Sequence, residues 1–262
     1  MWLPSAILFS LSIATCRGYT LRFSSSFERI INGETVEPGE IPYQVSLQLP
    51  IIRFHFCGGS VISETFVITA AHCVLGRLPD GVIVVAGTND ITEGQGIIRN
   101  VQRINTHEGY DPRDAYRNDI ALLKLAEPLL KVPNLVGYIQ LPSSCQTLTT
   151  GDVAVVSGWG RIQEGGQSPK LLQRVAIEIS DQEYCKVIYQ KTFNMEVDDT
   201  QVCADVPDGG KGSCHGDSGG PLTVNGELTG LVSWANGCAR EGYPTVYTRV
   251  SEFLDWIEKT AV

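Results

Sequence analysis

Gly216-Asp217-Ser218-Gly219-Gly220 is the sharpest local feature of the chain. A serine hydroxyl becomes a useful nucleophile only when a nearby base takes its proton. Glycines beside it let a substrate backbone approach closely. A glycine-rich turn without chemistry is the bland alternative. The run also satisfies G-x-S-x-G, the strand-to-helix nucleophile turn of α/β-hydrolases. That fold places its histidine after its serine, and no histidine follows His215. The hydrolase reading therefore lacks a base, and any proton acceptor for Ser218 must come from upstream.

Four histidines are available: His55, His72, His107 and His215. His72 sits in Thr69-Ala70-Ala71-His72-Cys73, directly after the apolar run Phe66-Val67-Ile68. A base needs such an anchored position, because misplacement by about an ångström can cost ~10²-fold in rate. His55 and His107 read as ordinary surface or loop histidines. An acid is also required, to hold the imidazole tautomer and stabilise its protonated form. Asp119 opens the run Ile120-Ala121-Leu122-Leu123-Lys124-Leu125. An acid opening so apolar a strand is ordinarily a solvated turn residue, and local sequence alone favours that reading.

These residues need a scaffold, and from Ile30 onward the chain offers short apolar runs separated by Gly, Pro and Asn. Tyr43 to Leu49, Val82 to Ala86, Ile120 to Leu125, Val153 to Val156 and Leu228 to Val232 are examples. Several alternate with period two, and turn signals recur every ten residues or so, the pattern of an all-β sandwich or barrel. Helical patterning is convincing only at the end, where Ser251 would cap a helix with Phe253, Trp256 and Ile257 on one face. Residues 128–142, poor in strand signals, are the best candidate for a connection between two halves. Trp159 and Trp256 read as core.

Of the 262 residues 43% are hydrophobic and 19% charged, which excludes disorder. The net charge of −9 comes with no basic stripe and argues against a nucleic-acid partner. Trp2 to Ile13 is almost wholly apolar and precedes small residues, so residues 1–16 read as a secretory signal. That run is too short for a comfortable membrane span; the chain is expected to be exported and soluble. Cys16 then leaves with the signal, and seven cysteines remain: Cys57, Cys73, Cys145, Cys185, Cys203, Cys214 and Cys238. An odd count in an oxidising compartment means disulfides plus one leftover thiol. No C-x₂-C pair supports zinc, and no metal or cofactor is expected.

Taken together, Thr69 to Cys73, Asn118-Asp119-Ile120-Ala121-Leu122 and Gly216 to Leu222 occur in the order His, Asp, Ser. Phe56-Cys57-Gly58-Gly59, Ser157-Gly158-Trp159-Gly160 and Ser233-Trp234 support them. From Ile30 to the end the chain closely resembles the chymotrypsin–trypsin family of serine peptidases, whose triad mechanism is well established. The resemblance implies two antiparallel six-stranded β-barrels with the site between them and a C-terminal helix. It also implies that Ser218 attacks, His72 shuttles the proton and Asp119 orients His72 with support from Ser233. The N–H groups of Gly216 and Ser218 would form the oxyanion hole.

Further expectations follow from the same resemblance. Cys57 would pair with Cys73, Cys185 with Cys203 and Cys214 with Cys238, leaving Cys145 unpaired because Ser251 stands where its partner would be. Thr88 and Gly96 replace the glutamates of a calcium loop, so no calcium is expected. Residues 17–29 read as an activation peptide and 30–262 as the peptidase domain. A trypsin-like protease would cut after Arg29, and the new ammonium of Ile30 would pair with Asp217. Gly212 and Ser213 would lie at the base of the primary pocket, Ala235 and Thr245 at its neck and His215 at its rim. Trp234 would floor the groove, and Tyr116 would border the next subsite. Gly212 supplies no carboxylate for Arg or Lys, so cleavage after small to medium apolar residues, as in elastases, is expected. A chymotrypsin-like preference is the runner-up, and a non-catalytic homologue is the competing class. Polypeptide substrates and protein inhibitors are the expected partners of a monomer.

Overall fold

The computed structural model describes residues 31–92 and 94–262. The signal and activation segments, with Arg29 and Ile30, lie outside the described residues. The first barrel closes in the order β2-β3-β4-β7-β6-β5, all pairs antiparallel. Its strands are β2 (Gln44–Gln48), β3 (His55–Val61), β4 (Phe66–Thr69), β5 (Ile83–Ala86), β6 (Ile97–Thr106) and β7 (Ala121–Leu125). The second barrel comprises β8 (Val153–Gly158), β9 (Gln173–Ile179), β10 (Gln201–Asp205), β11 (Pro221–Val224), β12 (Glu227–Trp234) and β13 (Thr245–Arg249). Pairing of β8 with β9 closes it, and the short β1 (Glu34–Thr35) adds to the edge of β9.

Period-two patterning explains the inward faces. Along β9, Gln173, Val175, Ile177 and Ile179 are buried while Arg174, Ala176 and Glu178 face outward. Each barrel holds its own apolar core, including Val45, Leu47, Val84 and Leu123 in the first and Val156, Ile177, Leu222 and Tyr247 in the second. A third cluster joins them: Phe66, Ile68, Ile120 and Leu122 meet Leu228, Leu231, Val250 and Phe253. This seam fixes the barrels against each other, so groups on facing strand ends are held in register. The connection spans residues 126–152, around the expected 128–142. It is tied to the first barrel by Ile139 N–H on Val61 O, and to the second by Leu228 N–H on Gln140 O.

Among the described residues three α-helices accompany the strands: α1 (Ala71–Val74), α2 (Gln182–Phe193) and, after the last strand, α3 (Leu254–Thr260). Helix α2 was not expected from the sequence. Its signals are local: the Asp181 side chain accepts from the Tyr184 N–H at 2.7 Å, and Asn194 ends it in left-handed geometry. Only Cys185 and Tyr189 of its face are buried, too narrow an apolar stripe to stand out by periodicity. At the end of the chain Ser251 does not cap the helix as expected. It lies inside a 3₁₀ turn, Val250–Phe253, which precedes α3. Trp256 is only half-buried, with its Nε1 donating to Glu108 Oε2 at 3.0 Å, whereas Trp159 is fully core.

Candidate active site

Strand β4 delivers His72. The strand ends at Thr69, buried Ala70 and Ala71 pack into the first barrel, and the single turn α1 carries the imidazole outward. A disulfide from Cys57 on β3 to Cys73 staples this turn, and two more join Cys185 to Cys203 and Cys214 to Cys238. Cys145 is free and exposed.

Asp119 reaches His72 from the loop before β7. Ala115, Tyr116 and Asn118 all have positive φ there, an uncommon run for residues with side chains. The coil turns the Asp119 carboxylate inward, where the residue is fully buried. Oδ1 accepts the His72 backbone N–H at 2.8 Å and Oδ2 faces Nδ1 at 2.7 Å. The Ser233 hydroxyl donates to Oδ2 at 2.6 Å. A carboxylate on Nδ1 assigns the ring proton to that atom and leaves Nε2 as an acceptor. Burial is therefore not the solvated turn that local sequence favoured: the carboxylate is consumed by three donors.

Ser218 comes from the second barrel. Its carbonyl accepts the Gly58 N–H at 2.8 Å, and the Thr69 hydroxyl donates to Gly58 O at 2.8 Å. Three segments are thereby locked at one point. Gly219, at φ +72°, is obligatory, because a Cβ there would collide with Thr69 Oγ1 and come within 2.9 Å of Ala70 N. Ser218 and His72 line one cleft of about 260 Å³. Among the described residues no hydrogen bond closes between them; such contacts tighten in the complex with substrate.

The two peptides that flank Gly216 are each held through a carbonyl. His215 O accepts the Arg161 N–H at 2.8 Å, which in a trans peptide directs the Gly216 N–H the opposite way. Gly216 O accepts from His55 Nε2 at 2.9 Å, and the other ring nitrogen of His55 accepts from the Ser46 hydroxyl at 2.8 Å. His55 is thus not the ordinary surface histidine expected. It buttresses the loop that carries Ser218, and its packing, which desolvates the imidazolium, lowers its pKa to about 4. Its one sequence signal is its place beside Phe56-Cys57-Gly58-Gly59. His107, by contrast, rests half-buried against Phe253 and Trp256, remote from this loop.

Asp217 is fully buried, accepting from Gly160 N at 2.7 Å and Cys214 N at 2.8 Å. A Cβ at Gly158 or Gly160 would collide with its carboxylate, so both glycines make its socket. Burial pushes its pKa up to about 7, against the two N–H bonds. The cleft lining includes Ser213, His215, Ser233, Trp234, Ala235, Thr245 and Tyr116. The ring of Tyr116 lies over Trp234, with centroids 6.4 Å apart, and meets His72 edge-on. Gly212 is not part of the lining. It pairs instead with Ile31 in an isolated bridge, and a Cβ there would touch Ala239 at 3.5 Å. No carboxylate lines the cleft among the described residues, and Asp208 is exposed in its loop.

Paired barrels bringing a hydroxyl, an imidazole and a buried carboxylate to their seam define a class of peptide-bond hydrolases. Comparison with known proteins agrees. The family described as Trypsin matches residues 30–257. Trypsin-1 of Astacus astacus is 44% identical over 244 residues, covering 89% of this chain and 100% of the relative. Anionic trypsin of Canis lupus familiaris is 40% identical over 236 residues, covering 89% and 90%. Vitellin-degrading protease of Bombyx mori is 36% identical over 231 residues, covering 88% and 85%. The chain belongs to the trypsin family and is a serine endopeptidase acting on polypeptides.

Proposed function

We propose that this endopeptidase cleaves after small to medium apolar residues, in the manner of elastases, although two of the three relatives named above are trypsins. The observation that carries the reading is the cleft lining: hydroxyls and apolar groups without a carboxylate. A substrate guanidinium or ammonium buried there would have no charged partner, which is costly. Ala235 and the buried Thr245 line the cleft, and side chains at these two positions support a neck that disfavours large rings. Ala235 adds only one methyl over glycine, and a methyl-sized difference is worth ~1–3 kcal/mol of discrimination. That small step is what favours the second reading, a chymotrypsin-like preference.

In the proposed reaction the Ser218 hydroxyl attacks the scissile carbonyl while His72 Nε2 takes its proton. The N–H groups of Gly216 and Ser218 stabilise the oxyanion, and His72 returns the proton to the leaving amine. Water then hydrolyses the acyl-enzyme by the same route. Asp119, with Ser233 on its Oδ2, holds the imidazole. The intact set His72, Asp119 and Ser218 argues against a non-catalytic homologue.

The enzyme is made as an exported zymogen: residues 1–16 are the signal, 17–29 the activation peptide and 30–262 the peptidase. A trypsin-like protease cuts after Arg29 and frees the Ile30 ammonium for Asp217, whose enclosed carboxylate supplies the motive. It works outside the cell as a monomer, restrained by protein inhibitors; no helix among the described residues is long and apolar enough to cross a membrane. The test is kcat/KM on peptides differing only at the residue before the cut. Ala, Val, Leu and Met should lead, Phe and Tyr should trail, and Arg and Lys should be poorest. Best turnover after Arg or Lys would overturn the reading of the cleft.

A further inference from the structure

The partners of His107 lead to the catalytic carboxylate. His107 directly follows β6, and Asp119 lies two residues before β7. The chain between them is a long excursion, its neck closed by the His107 N–H on Ile120 O at 3.0 Å. A second clasp crosses that neck, where Asn118 Nδ2 donates to Gly109 O at 2.8 Å. The Gly109 N–H in turn donates to His107 Nδ1 at 3.1 Å. A Cβ at Gly109 would come within 2.9 Å of Asn118 Nδ2 and push the clasp aside.

The imidazole itself is held by the end of the chain. It stands edge-on to Phe253, with centroids 5.4 Å apart, and tilts against Trp256 at 5.2 Å. Glu108 Oε2 accepts the Trp256 Nε1–H at 3.0 Å and keeps that second ring in place. As an acceptor, Nδ1 carries no proton, so the ring is neutral with its proton on Nε2. Asp119 is gripped on both sides of its α-carbon. Its carbonyl accepts the Thr248 hydroxyl at 2.8 Å. On the other side Asn118 turns the chain at φ +56°, a conformation that asparagine tolerates, and is tied to Gly109. Any rotation there would swing the carboxylate off His72 Nδ1, which is 2.7 Å away.

We infer that His107 is a positioning residue for the peptidase reaction: its Nδ1 sets the Gly109 peptide, which holds Asn118 and so fixes the aim of Asp119 at His72. The inference rests on the roles given to Asp119 and His72 above. Two substitutions separate the acceptor from the ring. His107→Phe keeps an aromatic ring between Phe253 and Trp256 but removes the acceptor, whereas His107→Asn removes the ring and puts an acceptor oxygen near the place of Nδ1. The probe is acylation of the activated enzyme by 4-nitrophenyl acetate, an ester too small to need Tyr116 or the primary pocket. Titration with a fluorophosphonate normalises each variant to its folded, reactive fraction. His107→Phe should acylate about 10-fold more slowly, well inside the ~10²-fold that an ångström of misplacement can cost, and His107→Asn should stay within about 2-fold of the wild type. Asn118→Gly permits the positive φ but cuts the clasp, so it should match His107→Phe. The double variant should be no slower than either single one, because both act through one path. The low-field proton resonance of the His72–Asp119 hydrogen bond should shift in His107→Phe and return in His107→Asn. Normal acylation by His107→Phe, equal slowing by Phe and Asn, or losses that multiply in the double variant each overturn the positioning role. Asp119→Asn separates the two levels: if it collapses while His107→Phe is normal, this inference alone fails, and if it too is normal, the triad assignment fails with it.

Discussion

In the uncut chain the two buried ionisable groups beneath the Ser218 loop should pull stability in opposite directions with pH. Asp217 has its pKa raised from 3.8 to about 7, so the folded state binds the extra proton between those values. Stability then falls as pH rises from about 4 to 7, by ~1.4 kcal/mol per unit and on the order of 4 kcal/mol in all. His55 has its pKa lowered from 6.5 to about 4, so there the unfolded state binds more protons. Its contribution is complete above 6.5 and is lost as pH falls towards 4, with a ceiling of about 3 kcal/mol because the residue is not fully covered. Between pH 4 and 6.5 the two slopes nearly cancel. The wild-type precursor should therefore show a flat profile from these groups, and single variants should unmask each slope. The assay is urea denaturation of the uncut protein from pH 4 to 8, in a Ser218→Ala background to prevent self-digestion. Asp217→Asn should make the precursor lose stability on acidification, and His55→Gln should make it gain. Cleavage after Arg29 should remove the Asp217 slope, because a paired carboxylate is favoured in its charged form. Parallel profiles for the wild type and both variants would refute the reasoning.

Three further outcomes are expected. Ser218→Ala should leave the fold and inhibitor binding intact while turnover falls by roughly 10⁴–10⁶; a serine-directed fluorophosphonate that labels any other residue contradicts the assignment of Ser218. N-terminal sequencing of the active enzyme should read Ile-Ile-Asn-Gly, and an Arg29→Gln precursor that trypsin fully activates would sink the proposed cleavage site. Cys145 should react with a thiol reagent in the absence of denaturant, since it is exposed and outside the three bridges; Cys145→Ser should abolish that fast phase.

Much of the site was legible because its parts are local. The glycines around Ser218, the small residues before His72 and the period-two strands each carry their geometry in a few neighbouring letters. The tertiary structure decided what depends on approach across the seam. Asp119 looks like a solvated turn until the barrels close and bring His72 and Ser233, 47 and 114 residues away, onto its carboxylate. His55 has no pattern of its own; only the packing of β3 against the Ser218 loop puts its ring between Ser46 and Gly216. Helix α2 writes no periodic apolar face into the sequence, because only two of its side chains, Cys185 and Tyr189, are buried. Gly212 is the converse case: the letter announces a missing carboxylate, whereas its backbone pairing with Ile31 is set only in the folded chain. Residue type limits what chemistry a position can do, whereas burial and partners, which come from chain segments far apart in sequence, determine what it does.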